Sequence, residues 1–103
     1  MKRPVIWSRD ALDDLKAQIA YIAAENPAAA QRVADQIRAA ALALSEMPSG
    51  RPGRVIDTYE KSVTPLPYII AYTIPATAVG QAIAIVRVIH TARDWPADQW
   101  PKT

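Results

Sequence analysis

The side chains best suited to chemistry lie close together near the C-terminal end of the chain. Arg87, His90, Arg93 and Trp95 fall within nine residues of one another. Arginine can hold a phosphate or carboxylate with two parallel hydrogen bonds, and a neutral histidine can give or take a proton near pH 7. A site of this kind would bind an anion through Arg87 while His90 shuttles a proton. The plainer alternative is that Arg87 pairs with a nearby carboxylate such as Asp94 and His90 finishes a strand. Arg51, Arg54 and Lys61 could add to a positive patch, although Asp57 and Glu60 lie among them and a solvated face reads equally well.

Other chemistries find little support. His90 is the single histidine and there is no cysteine, so the usual zinc sites and thiolate nucleophiles are excluded, and no metal or cofactor is expected. A serine triad lacks a Gly-x-Ser-x-Gly elbow, and the three glycines at 50, 53 and 80 match no phosphate-binding loop.

The elements that must position the cluster follow from spacing. Val5, Ile6 and Trp7 favour a short strand, and Ser8 is placed to cap a helix carrying Leu12, Leu15, Ile19 and Ile22 on one face. Asn26-Pro27 starts a second helix, with Ala30, Val33, Ile37, Ala41 and Leu44 as its apolar stripe. Of the 20 alanines, 13 lie between Arg9 and Glu46, so the two helices form a hairpin with a shallow apolar surface. Proline and glycine over 47–53 end that pattern.

Three strands are expected after it: Arg54 to Val63, Tyr68 to Ile74 and Ile83 to His90, with a turn at 64–67 and a loop from Pro75 to Ala82. The last, β-branched nearly throughout, should be central. Strict alternation would set Arg87 on one face with Ile83, Ile85 and Ile89, and His90 with Ala84, Val86 and Val88. The order β-α-α-β-β-β describes one α+β domain over residues 1–103, a helical hairpin on one face of a small, mainly antiparallel sheet. Trp95 and Trp100 in the C-terminal stretch are expected to dock on this body.

Charge narrows the function classes. Twelve basic against ten acidic side chains leave a formal net charge of +2, and that excess lies wholly in residues 51–103. Strong phosphate-driven nucleic-acid binding is disfavoured at that charge. No membrane span or signal peptide is visible, so a cytoplasmic protein is expected.

Four segments together resemble the RelE/ParE superfamily of type II toxin–antitoxin toxins. They are Val5-Ile6-Trp7-Ser8 with Ala11 and Asp14-Leu15; Tyr21-Ile22-Ala23 before Asn26-Pro27; Pro67-Tyr68-Ile69-Ile70-Ala71-Tyr72; and Ile85 to Trp95. The resemblance implies a helical hairpin on a curved antiparallel sheet and a toxin neutralised by direct contact with a cognate antitoxin. For the ParE-like branch this means a ParD-like antitoxin in a hetero-oligomer and non-enzymatic inhibition of DNA gyrase. For the RelE-like branch it means ribosome-dependent mRNA cleavage.

The nuclease needs a base, an acid and cations for phosphorane charge. A set of Arg54, Lys61, Arg87 and His90 would have to be improvised, no tyrosine follows His90, and the net charge is small. The ParE-like branch is therefore favoured, with Arg87, His90, Arg93 and Trp95 structural or target-facing and none of them catalytic. A domesticated binding module without toxicity is a third reading. Ala34, Arg38 and Ala41 on the second helix and Ile83, Ile85 and Ile89 on an open sheet face are the candidate antitoxin contacts, because such surfaces are unusually apolar if left in water.

Overall fold

The structure is a computed structural model and describes residues 2–91. Strand β1 (Val5–Trp7) leads through Ser8 into helix α1 (Arg9–Ala23), and Asn26 caps helix α2 (Pro27–Ala43). Ser8 Oγ accepts from Ala11 N–H at 3.0 Å, and Asn26 Oδ1 accepts from Ala29 N–H at 3.0 Å, so both helices begin where the capping residues require. Strands β2 (Arg51–Pro52), β3 (Tyr59–Ser62) and β4 (Tyr68–Thr73) follow, then β5 (Ala76–Thr77), β6 (Gly80–Gln81) and β7 (Ile83–His90).

The main sheet runs β1-β7-β4-β3-β2, with β1 parallel to β7 and the other neighbours antiparallel. The helices cover one face. Ala11 and Leu15 of α1, Ile37 and Ala41 of α2, and Leu44 meet Tyr68, Ile70, Tyr72, Ile83, Ile85 and Val88 of the sheet in one buried core. Ile69, Ala71, Val86 and Ile89 form a second cluster with Val55 on the opposite face. This explains why β4 is buried along almost its whole length: its alternate residues serve two cores. The α1 stripe starts at Ala11 instead of Leu12, which is 39% exposed.

Two expected elements differ. The strand expected from Arg54 to Val63 is confined to Tyr59–Ser62, with 53–58 as a loop between β2 and β3. Glu60 imposes this, because its buried carboxylate accepts from the Arg54 backbone N–H at 2.8 Å and pulls the chain out of extended pairing. The loop expected from Pro75 to Ala82 is a small hairpin, β5–β6, with Gly80 at φ 134° where a side chain would be strained.

β7 also breaks strict alternation. Ala71 pairs with Arg87 while Tyr72 pairs with Ile85, leaving Val86 as the extra residue of a bulge. Ile83, Ile85 and Val88 therefore face the helices, whereas Val86 and Ile89 face away. Ile89 does not share a face with Ile83 and Ile85, nor Val86 with Val88, as alternation required.

Candidate functional site

The bulge and the end of β1 together build the surroundings of Arg87. β1 pairs with β7 only as far as Ile85, so the next stretch of β7 would present an unpaired edge. The start of α1 takes over there. Ser8 N–H donates to Ile85 O at 3.0 Å, Ser8 Oγ donates to Val86 O at 3.0 Å, and Val88 N–H donates to Asp14 Oδ2 at 3.0 Å. The same Asp14 carboxylate receives Arg87 Nε at 2.7 Å on Oδ2 and Arg87 Nη2 at 2.9 Å on Oδ1. Both side chains are only 15% exposed. The hydrogen bonds it donates to Asp14 raise the Arg87 pKa above its ordinary value, despite burial acting against it, so this guanidinium stays charged and committed.

Arg87 does find a carboxylate partner, as one reading required, but the partner belongs to α1, 73 residues earlier. His90 lies elsewhere. It sits opposite Tyr68 in the β4–β7 register, with the two rings edge-on and their centroids 5.3 Å apart. Tyr68 Oη in turn donates to Gln18 Oε1 at 3.4 Å. A groove of ≈ 630 Å³ opens beside this pair, walled by Tyr21, Val33, Leu66 and Pro67 among others. Arg87 is thus tied to α1, while His90 rests on an aromatic ring. Arg93 and Trp95, and with them the docking expected of Trp95 and Trp100, lie outside the described residues.

The candidate arginines of the other segment are also engaged. Arg54 donates from Nε to Glu60 Oε2 at 3.0 Å and from Nη2 to Oε1 at 3.3 Å, and Arg51 Nη2 stands 3.6 Å from the same carboxylate. Glu60 is 4% exposed. Burial alone would raise its pKa, but the hydrogen bonds and positive charge of Arg54, with the charge of Arg51, hold it below the ordinary 4.5. Lys61 is half-buried and pairs with Ile70 across β3–β4, facing away from Glu60 along the strand. Among the described residues, no group of three or more histidine and acidic side chains could hold a metal ion.

The expected docking surface needs correction. Ala34 and Ala41 are 4% and 1% exposed because their stripe is the core-facing one, and Ile83, Ile85 and Ile89 are at most 2% exposed within the two cores. These side chains offer no surface to a partner. Arg38 is exposed as expected. The apolar helix surface lies instead around Leu42, 68% exposed, in a hollow of ≈ 350 Å³ lined by Lys2, Ala39, Leu42, Ala43, Ser45 and Glu46. Ala39, Leu42 and Ala43 follow i, i+3, i+4 spacing beside the core stripe, a second apolar face legible in retrospect. Asp14 is 73 residues from its arginine, so spacing gives no sign of that pair, and Glu60, though near Arg54 in sequence, reads there as part of a solvated face and not as a buried acceptor.

With this geometry fixed, comparison with known proteins decides the family. The family model for the ParE toxin of the type II toxin–antitoxin system parDE matches residues 5–95. The chain belongs to the ParE toxin family. It is 38% identical over 96 residues to a protein of Sinorhizobium fredii named as toxin Y4kP, covering 92% of this chain and 95% of that one. It is also 37% identical over 89 residues to Toxin RelE2 of Caulobacter vibrioides, covering 86% of this chain and 96% of the relative.

Solved structures agree on the fold of this ParE-family toxin. A chain of the chromosomal ParDE system from P. aeruginosa superposes with a TM-score of 0.77 at 20% identity, over 86% of this chain and 96% of that one. The YoeB/ParE toxin from Agrobacterium tumefaciens superposes with a TM-score of 0.58 at 12% identity, over 84% and 97%. Both place two helices on a mixed sheet, as derived above. No helix of the described residues is long and apolar enough to cross a membrane.

Proposed function

We propose that this ParE-family toxin inhibits DNA gyrase by binding it, without catalysing a reaction, and that a ParD-like antitoxin neutralises it by direct contact. The observation that carries the non-enzymatic reading is the internal neutralisation of the arginines a nuclease would need. Arg87 already gives two hydrogen bonds to Asp14, and Arg54 gives its backbone and side-chain donors to Glu60. A phosphorane gains most from cations aimed at it in advance, and these are aimed at carboxylates of the same chain. Family membership supports the antitoxin, and the low net charge supports a protein target over ribosomal RNA.

The antitoxin contact belongs on the outer surface of α2, where Ala39, Leu42 and Ala43 stand exposed around the hollow beside Lys2 and Arg38 is exposed on the same helix. A partner segment lying there removes Leu42 from water and meets a basic side chain at Arg38.

The test is to induce the toxin alone in cells and follow plasmid topology, the SOS response, translation and mRNA integrity together. Loss of negative supercoiling and SOS induction ahead of any translational arrest is the expected order. Early arrest with mRNA cut at ribosomes and normal supercoiling would return the account to the nuclease reading, with Arg54, Lys61, Arg87 and His90 as the first residues to replace.

A further inference from the structure

The two faces of the main sheet are closed by different means. Helices α1 and α2 cover one of them. On the other, Ile69, Ala71, Val86 and Ile89 are at most 7% exposed, yet among the described residues Val55 is the one partly buried apolar side chain packed against them. Ala71 is accounted for, because Glu60 stands opposite it across β3–β4 on the same face and is itself held by Arg54. Ile69 has no such neighbour, since the residue opposite it on β3 is Ser62, small and exposed. Ile89 pairs with Ile69 from the other side, and Val86 is the bulged residue further back along β7. Three aliphatic side chains toward the end of β7 are thus withdrawn from water more completely than Val55 alone can achieve. The cover is local. Ile6 of β1, whose neighbours Val5 and Trp7 pack on the helix side, is 54% exposed.

The covered end is where the chain leaves the described residues. Thr91 N–H donates to Pro67 O at 2.9 Å, so the path is fixed up to that point. Two surfaces adjoin it. The groove beside Tyr68 and His90 on the helix side stands open with ≈ 630 Å³, whereas the outer side at Ile89 is closed. The segment that follows, residues 92–103, carries Trp95 and Trp100, two of the three tryptophans of the chain. A buried tryptophan withdraws about 150–250 Å² and so spans several aliphatic neighbours. Length selects Trp95. Six residues beyond Ile89 reach at most about 20 Å when extended, and Val86 lies three residues back along β7, about 10 Å away. A turn after Thr91 spends part of that reach and leaves Trp95 over the patch. Because the face is closed within one chain, neither an antitoxin segment nor a second copy is needed to cover it.

We infer that residues 92–103 fold back over the outer face of the sheet, with Trp95 seated on Ile69, Val86 and Ile89, so that the toxin completes its second core from its own C-terminal segment. The chain has no cysteine, so a single introduced thiol reports its own surroundings. The test follows the rate of labelling by dithionitrobenzoate at Val86→Cys on the outer face and, separately, at Ala41→Cys in the helix-side core, each in the isolated full-length toxin. Both thiols are expected to be protected. Adding Trp95→Ala should speed labelling at position 86 about tenfold or more and leave position 41 within about twofold. Unchanged protection at position 86 overturns the inference. So does a thiol at position 86 that reacts freely in the isolated chain and is shielded only by antitoxin or by rising toxin concentration, which would give the face to a partner or to a second copy. If Trp95→Ala opens both positions together, Trp95→Leu, a smaller loss of cover, must open position 86 ahead of position 41, and equal opening there overturns it as well.

Discussion

At the scale of single residues, the arginines and carboxylates that might have formed an active centre hold the fold together. Arg87 and Asp14 are mostly withdrawn from water, so removing one charge leaves the other buried without its partner, which is far costlier than losing a surface ion pair. Asp14→Ala should lower the unfolding free energy by about 3 kcal/mol in a denaturant titration, and it should also leave Val88 N–H without its acceptor. Glu60 makes a second prediction. Its folded carboxyl titrates below the ordinary 4.5, so its contribution is complete above that pH and is lost as the pH falls through the folded value. Stability measured from pH 6 downward should therefore fall on the acid side of about 4.5, and Glu60→Gln should be less stable at pH 6 and show a shallower fall.

At the scale of elements, the two helices act mainly through one face each. Ile37 is fully buried between α2 and the sheet, and Ile37→Ala should cost about 2–5 kcal/mol, whereas Leu12→Ala at the exposed edge of the α1 stripe should cost clearly less in the same titration. The helices were legible in the sequence because their signals are local: Ser8 and Asn26-Pro27 as caps, and stripes at three- and four-residue steps. The central strand Ile83–His90 was equally legible from its β-branched run. The bulge at Val86 was not, since it arises where β1 stops and α1 takes over the β7 edge, a tertiary event with no local signature. That one extra residue separates Ile89 from Ile83 and Ile85; the helices cover Ile83 and Ile85 while Ile89 sits in the outer cluster, so no open face of isoleucines exists. The loop at 53–58 has no local signature for a similar reason, because Val55 and Ile56 are β-favouring residues and it is Glu60 reaching back to Arg54 that takes them out of the strand.

At the scale of the whole molecule, the small net charge and the alanine-rich hairpin acquire definite meanings. An excess of only two positive charges disfavours phosphate-driven nucleic-acid binding, and Arg54 and Arg87 are already paired with Glu60 and Asp14. Ala11, Ala30, Ala34 and Ala41 serve close packing, while Ala39 and Ala43 join Leu42 in an exposed apolar surface. The proposed antitoxin contact on α2 centres on the exposed Leu42. Leu42→Asp should therefore weaken antitoxin capture by about tenfold or more without reducing toxicity in its absence, measured by co-purification and by growth after induction. A binder and a nuclease also differ in how their effect scales, since a binder acts in proportion to the target it occupies and a nuclease acts with time. The most direct measurement is supercoiling of relaxed plasmid by purified gyrase as this toxin is titrated in. Inhibition that saturates near stoichiometric toxin, does not grow with incubation time and is reversed by the antitoxin is the predicted result. Unimpaired supercoiling at large excess, with ribosome-bound mRNA cut by the same preparation, would contradict the account.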